Sequence, residues 1–218
     1  VTSETADLSC DGVRVLLPEP VAAERILDLC VELGTDVFAG PMYSAVGKRR
    51  VLPPAARKAE WDLAVRNVRK ACELAAARGV RLAIEPLNRF ETDLVNTAAD
   101  VTRMVDEIGH PAAGVMMDSY HMNLEERDNE QALRTVGHRI VHVQVSDNYR
   151  GCPGKGQVRW DAFKRGIVAS GYKGGIAIES FTPEIVELAG AVCFWRPMEP
   201  SQDGFAEDGL KFLRQLFA

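Results

Sequence analysis

The chain has 218 residues, 46% hydrophobic and 26% charged, and 26 Lys and Arg against 31 Asp and Glu give a formal charge of −5. This profile belongs to an ordinary globular chain with a substantial core, and it argues against disordered, collagen-like or low-complexity architectures. The acidic balance is the opposite of the basic field that a nucleic-acid-binding protein carries, so no nucleic-acid partner is expected. The opening VTSETADLSCDG is polar and acidic, unlike a signal peptide. Five cysteines (Cys10, Cys30, Cys72, Cys152, Cys193) are odd in number and scattered, with no CxxC, so neither a disulfide framework nor a thiolate zinc site is indicated. No apolar run approaches the roughly 18 residues of a membrane span. The expected setting is a reducing cytoplasm, without a membrane partner.

In chain order, residues 21–33 read as an amphipathic helix stopped by Gly34, and 37–40 as a buried strand. The basic patch Lys48-Arg49-Arg50 reads as a solvated loop. Residues 56–78 form the next helix, with Trp61, Ala64, Val65, Val68, Cys72 and Ala75 at helical spacing and Gly79 as its stop. Residues 81–86 read as a strand, and Asn96 or Thr97 caps a helix that runs to Ile108 and Gly109. There follow a strand at 113–118, a helix at 124–136, a strand at 140–146, a helix at 161–170 closed by Gly171, a strand at 174–180 and a last helix at about 204–216.

Alternating strands and helices, with strands apolar on both faces, predict a parallel sheet covered by helices. No linker or composition break divides residues 1–218, so a single domain is expected. A doubly wound sheet and a (β/α)₈ barrel both satisfy the pattern, and the polar residues separate them. Glu85, Asp118, Gln144 and Glu179 stand at or near the C-terminal ends of four successive strands. In a doubly wound sheet ligands gather at one crevice, whereas in a barrel all strand ends open to one mouth, where these four groups can converge. Three carboxylates and an amide oxygen form a hard donor set, suited to Mn²⁺ or Mg²⁺ rather than to Zn²⁺ or Cu²⁺.

The segments LAIEPLNRFETDLVNTAAD (82–100), GVMMDSYHMNLEE (114–126), HVQVSDNYRGCPGKGQVRW (142–160) and GYKGGIAIESF (171–181) make the chain recognisable. It resembles the D-tagatose 3-epimerase and D-psicose (D-allulose) 3-epimerase family, within the xylose isomerase-like superfamily of sugar isomerases and epimerases. The resemblance implies a (β/α)₈ TIM barrel, lacking its first one or two strands here, with Val1-Thr2-Ser3 as the tail of the second strand. Further residues or a partner chain would cover the open side, which makes a homo-oligomer an option. By the same resemblance, metal ligands fall on Glu85, Asp118 and Glu179, with Glu85 and Glu179 also the acid/base pair. Substrate contacts fall on Glu91, His121 and Arg150. The fourth metal position holds Gln144 where the epimerases have histidine, and in this it is similar to the hydroxypyruvate isomerase group.

The implied activity is a ketose 3-epimerase with a small sugar substrate and one divalent cation, Mn²⁺ first, with Mg²⁺ or Co²⁺ as alternatives. An aldose–ketose or hydroxypyruvate-type isomerase with the same metal site is the nearest competitor. A non-catalytic, metal-stabilised sugar-binding protein or an inactive fragment is the third reading. Among the other residues, His142 shares a strand face with Gln144 and reads as packed interior, while His110 and His138 read as surface. The glycine-rich 151–156 reads as a structured loop holding Arg150 rather than a phosphate cradle, because no Ser or Thr and helix follow the lysine. Cys152 is expected to be exposed, without a catalytic histidine beside it, and Phe194 and Trp195 are expected to pack in the core.

Overall fold

In the computed structural model the described residues are 9–10, 13–14 and 20–218. The expected strand tail at residues 1–3 and the polar opening segment lie largely outside them. The chain divides into two compact units, Val1–Met116 and Met117–Ala218. Its elements are β1 (Ser9–Cys10), β2 (Val13–Arg14), α1 (Pro20–Glu32), β3 (Val37–Gly40), α2 (Pro54–Ala76), β4 (Arg81–Ile84), α3 (Ala98–Ile108), β5 (Ala113–Asp118), α4 (Ser119–Glu125), α5 (Asn129–Val136), β6 (Ile140–Val145), α6 (Trp160–Ser170), β7 (Ile176–Ile178), α7 (Val186–Ala191) and α8 (Gln202–Phe217). A 3₁₀ turn at Gly137–Arg139 leads into β6. Strands β1 and β2 form a short antiparallel pair, and a five-stranded sheet runs in the sequential order β3-β4-β5-β6-β7.

In the first unit, β3 pairs with β4 in parallel from Val37↔Arg81 to Gly40↔Ile84, and β4 pairs with β5 from Leu82↔Ala113 to Ile84↔Val115. Leu82, Ala83 and Ile84 are all buried, as expected of a parallel strand covered on both faces. Helix α2 begins on Pro54, whose missing N–H costs nothing in the first turn, and buries Trp61, Ala64, Val68, Cys72 and Ala75. Helix α3 begins with a reciprocal cap: Thr97 Oγ1 accepts from the Asp100 N–H at 3.1 Å, and Asp100 Oδ2 accepts from the Thr97 N–H at 3.2 Å. It ends on Gly109 in the left-handed region, at φ 59°. The basic patch is exposed at Arg50, as expected, although Arg50 is also paired with Asp93 and Glu60.

In the second unit, β6 pairs with β7 in parallel from Val143↔Ile176 to Val145↔Ile178. The single helix expected at 124–136 is two. Helix α4 is capped by Asp118 and stops where Glu126 turns extended, at φ −101° and ψ 136°. Asp128 then restarts the helix as the cap of α5, its Oδ1 accepting from the Gln131 N–H at 3.0 Å. Two capping aspartates outweigh the apolar periodicity that had suggested one element. Helix α7 was not expected, because no side chain caps its start at Ile185. Helices α5 and α6 meet at Gly166, where an added Cβ would stand 2.7 Å from Leu133 Cδ1 and 3.1 Å from Glu130 Cα.

Two packing expectations are corrected. Cys152 is fully buried, its Sγ 3.6 Å from the Phe205 carbonyl, because α8 closes over it through Gly209. Phe194 is buried as expected, but Trp195 is 70% exposed, since the chain turns at Cys193 (φ 56°) and directs neighbouring residues to opposite sides.

Two substitutions test these local causes. Thr97→Ala removes a helix cap and should cost about 1 kcal/mol of unfolding free energy in a denaturant titration. Gly166→Val places branched carbons against Leu133 and the backbone of α5, and should cost about 1–3 kcal/mol. An unchanged midpoint for Gly166→Val would show that α5 and α6 can separate freely.

Candidate active site

The second unit gathers four of the seven residues singled out from sequence. Asp118 ends β5 and caps α4, its Oδ1 accepting from the Tyr120 N–H at 2.7 Å. Its Oδ2 accepts from Arg150 Nη1 at 3.2 Å. The same Nη1 donates to Glu179 Oε2, just beyond β7, and Arg150 Nη2 lies 3.1 Å from His121 Nε2. One guanidinium thus meets two carboxylates and an imidazole.

Burial sets the electrostatics. Asp118 is fully buried, which pushes its carboxyl up from its usual value; the Arg150 guanidinium and the Tyr120 N–H pull it down and only partly offset that rise. His121 is also buried, and burial with the nearby guanidinium holds its ring well below the usual histidine range. A guanidinium can only donate, so His121 Nε2 accepts and the neutral ring carries its proton on Nδ1. Arg150 is flanked by aromatic faces, its Cζ 3.9 Å from the Tyr120 ring centroid and 5.4 Å from that of Phe181.

The elements holding these groups are fixed by short backbone-aimed bonds. Ser119 Oγ donates to the Ser146 carbonyl at 2.6 Å and accepts from the Ser146 N–H at 3.1 Å, tying the start of α4 to the end of β6. The Glu179 N–H donates to the Val145 carbonyl at 2.9 Å, extending the β6–β7 pairing to the carboxylate itself. Arg150 sits in the left-handed region at φ 61°, uncommon for a residue other than glycine. Its loop is organised by Asp147, whose Oδ1 accepts from the N–H groups of Asn148 and Val158, and whose Oδ2 accepts from the Gly154 N–H and Trp160 Nε1, at 2.9–3.1 Å. The glycines here make room for neighbours. A Cβ on Gly154 would stand 2.4 Å from the Phe212 ring, and one on Gly156 2.3 Å from Asp147 Oδ1.

In the first unit, Glu85 follows β4, 6% exposed, its N–H donating to the Gly40 carbonyl at 3.2 Å. Asn88, missed from sequence, directs Glu91: its Nδ2 donates to Glu91 Oε1 at 2.7 Å. Buried Tyr43 donates from its hydroxyl to the Val95 carbonyl at 3.1 Å; burial, with Glu85 nearby, raises its pKa well above that of an ordinary phenol. Glu85 in the first unit and Asp118 and His121 in the second are all buried, and each is of a type that can ligate a metal ion. His121, expected as a substrate contact, shares Arg150 with Asp118, an expected metal ligand. Gln144 and His142 are half-buried on β6, with Gln144 level with Ala177 of β7. Asp147 and Tyr120 were also missed; the Asp-Asn pair before a glycine-rich run was the available signal for the first.

No described helix is long and apolar enough to cross a membrane. A model of the xylose isomerase-like TIM barrel matches residues 22–216. The chain is 31% identical to an L-ribulose 3-epimerase of Methylomonas sp. over 217 residues, covering 99% of this chain and 75% of that protein. It is 32% identical to a probable ketose 3-epimerase of Synechocystis sp., covering 89% of this chain and 67% of that one. Among solved structures it is similar to a D-allulose 3-epimerase from Methylomonas sp. in complex with D-allulose, at 31% identity and TM-score 0.82, covering 88% of this chain and 67% of that one. The parallel strands, the acidic groups at their C-terminal ends and these matches together show that the chain belongs to the xylose isomerase-like TIM barrel family, and its curated relatives here are isomerases.

Proposed function

We propose that the chain is a divalent-cation-dependent ketose 3-epimerase, acting as one barrel domain on a small free ketose. The observation that carries this reading is the placement of Arg150, whose guanidinium meets Asp118, Glu179 and His121 together. Relatives named as ketose 3-epimerases supply the class of reaction. The cytoplasm is the proposed setting, supported by free thiols at Cys30, Cys72, Cys152 and Cys193.

The proton on a carbon beside a ketone is weakly acidic, so charge developing on the neighbouring oxygen must be stabilised as that proton leaves. Glu85, Asp118, Gln144 and Glu179 would hold the cation, Mn²⁺ first, which when bound supplies Lewis-acid stabilisation of that charge. The donor set suits it: Asp118 and Glu85 are buried carboxylates, hard oxygen donors of the kind that Mn²⁺ and Mg²⁺ prefer. One of Glu85 and Glu179 takes the proton from one face of the sugar, and the other, in its acid form, returns a proton to the opposite face. Glu85 follows β4 and Glu179 follows β7. Glu91, aimed by Asn88, holds a substrate hydroxyl. His121 and Arg150 hold the oxygens nearest the reacting carbon, and the neutral His121 ring does so without adding charge.

A second reading, an aldose–ketose or hydroxypyruvate-type isomerase, is favoured by one feature, Gln144. It would use the same base and return the proton to the neighbouring carbon. Incubation of the chain with free ketoses and Mn²⁺ in D₂O separates the readings. Deuterium at C3 with inverted configuration supports the epimerase, an aldose product supports the isomerase, and no exchange in any sugar defeats both.

Glu85→Gln and Glu179→Gln each keep an oxygen donor but lose the base. Turnover should fall by roughly 10²–10⁴-fold, while Mn²⁺ binding by calorimetry survives in weakened form. Near-normal turnover in both would remove the acid/base assignment. Gln144→His should shift cation preference toward Co²⁺ with activity retained, and Gln144→Leu should weaken Mn²⁺ binding severely. Equal Mn²⁺ affinity in Gln144→Leu and the parent chain would take Gln144 out of the ligand set.

A further inference from the structure

We infer that Glu199, in the segment between α7 and α8, is a positioning residue that holds Arg150 in place by clamping the residues on either side of it. The inference rests on the proposed role of Arg150 in gripping the ketose. Arg150 lies in a loop whose inner turn is made by Asp147: the Arg150 N–H donates to the Asp147 carbonyl at 2.9 Å, and the Asp147 N–H to the Gly151 carbonyl at 2.8 Å. That turn leaves Arg150 at φ 61°, a conformation an arginine does not hold unaided.

The outer side of the loop is held by one carboxylate oxygen. Glu199 Oε1 accepts from the Tyr149 hydroxyl at 3.0 Å and from the Cys152 N–H at 3.1 Å. Its other oxygen accepts from Lys155 Nζ at 3.2 Å, and Lys155 in turn pairs with Asp208 of α8 at 2.8 Å. The Glu199 side chain is 8% exposed although it lies 47 residues beyond Cys152 in sequence. Burial alone would raise its carboxyl, but these donors more than offset that and hold it below the usual range. The Tyr149 phenol is pushed up to about 12 by burial and by Glu199, so it remains a donor.

Gly151 belongs to the same arrangement. An added Cβ there would stand 2.0 Å from Tyr149 Cε2, so the tyrosine ring lies across this glycine on its way to Glu199. Four consecutive residues therefore have complementary tasks: Tyr149 and Cys152 are tethered, Gly151 gives the tether room, and Arg150 points back to Asp118, His121 and Glu179. None of the Glu199 contacts touches the reacting groups, so the carboxylate acts only through the loop.

The test compares Glu199→Ala, Glu199→Gln and Tyr149→Phe in the full chain with Mn²⁺. Glu199→Ala should raise KM for the ketose about tenfold or more, with a smaller change in kcat, as expected when charged hydrogen bonds that fix a substrate contact are lost. Glu199→Gln keeps an acceptor for both donors and should return KM to within about threefold of the parent chain. In an Arg150→Ala background, Glu199→Ala should add almost nothing, because it acts through the missing side chain. Additive losses, or an unchanged KM in Glu199→Ala, overturn the inference. Hydrogen exchange at the 147–156 amides gives a readout independent of turnover: it should speed up in Glu199→Ala and Tyr149→Phe but not in Glu199→Gln. Unchanged exchange in both overturns the clamp even if the chain turns over no ketose. Tyr149→Phe, which removes one of the two tethers, carries the test if Glu199→Ala does not fold.

Discussion

A guanidinium buried between carboxylates imposes demands on everything around it. Asp118 has no access to water, and Arg150 has little. Each would be prohibitively costly to bury alone, and their mutual attraction offsets that cost only when the geometry is held closely. The second unit supplies that geometry with backbone-aimed bonds. Asp118 is fixed by the first turn of α4, α4 by the Ser119–Ser146 pair, Glu179 by the extension of the β6–β7 ladder, and Arg150 by the Asp147 turn. Tyr120 adds an aromatic face under the guanidinium, which favours a cation where water is excluded.

The loop from Asp147 to Trp160 shows why a glycine-rich run need not bind phosphate. Its glycines face the Tyr149 ring, the Phe212 ring and the Asp147 carboxylate rather than an open cradle. Its backbone N–H groups, which would have been available to an anion, are instead taken up by Asp147 and Asn148. The local negative charge of Asp147 therefore does internally what a bound phosphate would do in a nucleotide loop.

Much of this was legible in the sequence. Apolar runs ended by an acidic side chain marked the strands before Glu85, Asp118 and Glu179, most plainly on β4 and β5, where burial on both faces leaves a compositional trace. Of the two candidate caps, Asn96 and Thr97, α3 uses Thr97, and it ends at Gly109 as expected, since capping chemistry is local. What failed was non-local. The break between α4 and α5 depends on two aspartates competing with a helical period that runs through both. The burial of Cys152 depends on α8, more than fifty residues later, and the exposure of Trp195 on a turn at Cys193 that has no sequence signal. Asn88 and Glu199 look like ordinary surface residues until their partners, three and about fifty positions away, are in place.

The two oxygens of Asp118 have different obligations. Oδ1 is committed to the first turn of α4, and the carboxylate plane is thereby set by the helix rather than by whatever cation approaches. Such a carboxylate acts as a fixed acceptor: its other oxygen, Oδ2, meets Arg150 Nη1 from a direction that the backbone dictates. Glu179 reaches Arg150 on a side chain one methylene longer and 18% exposed. A shorter, helix-fixed side chain paired with a longer one defines where the positive charge of the guanidinium sits. The start of a short helix thus serves as the spatial reference for the Arg150 cluster, and any change that frays α4 would blur that reference before it removed a single charged group.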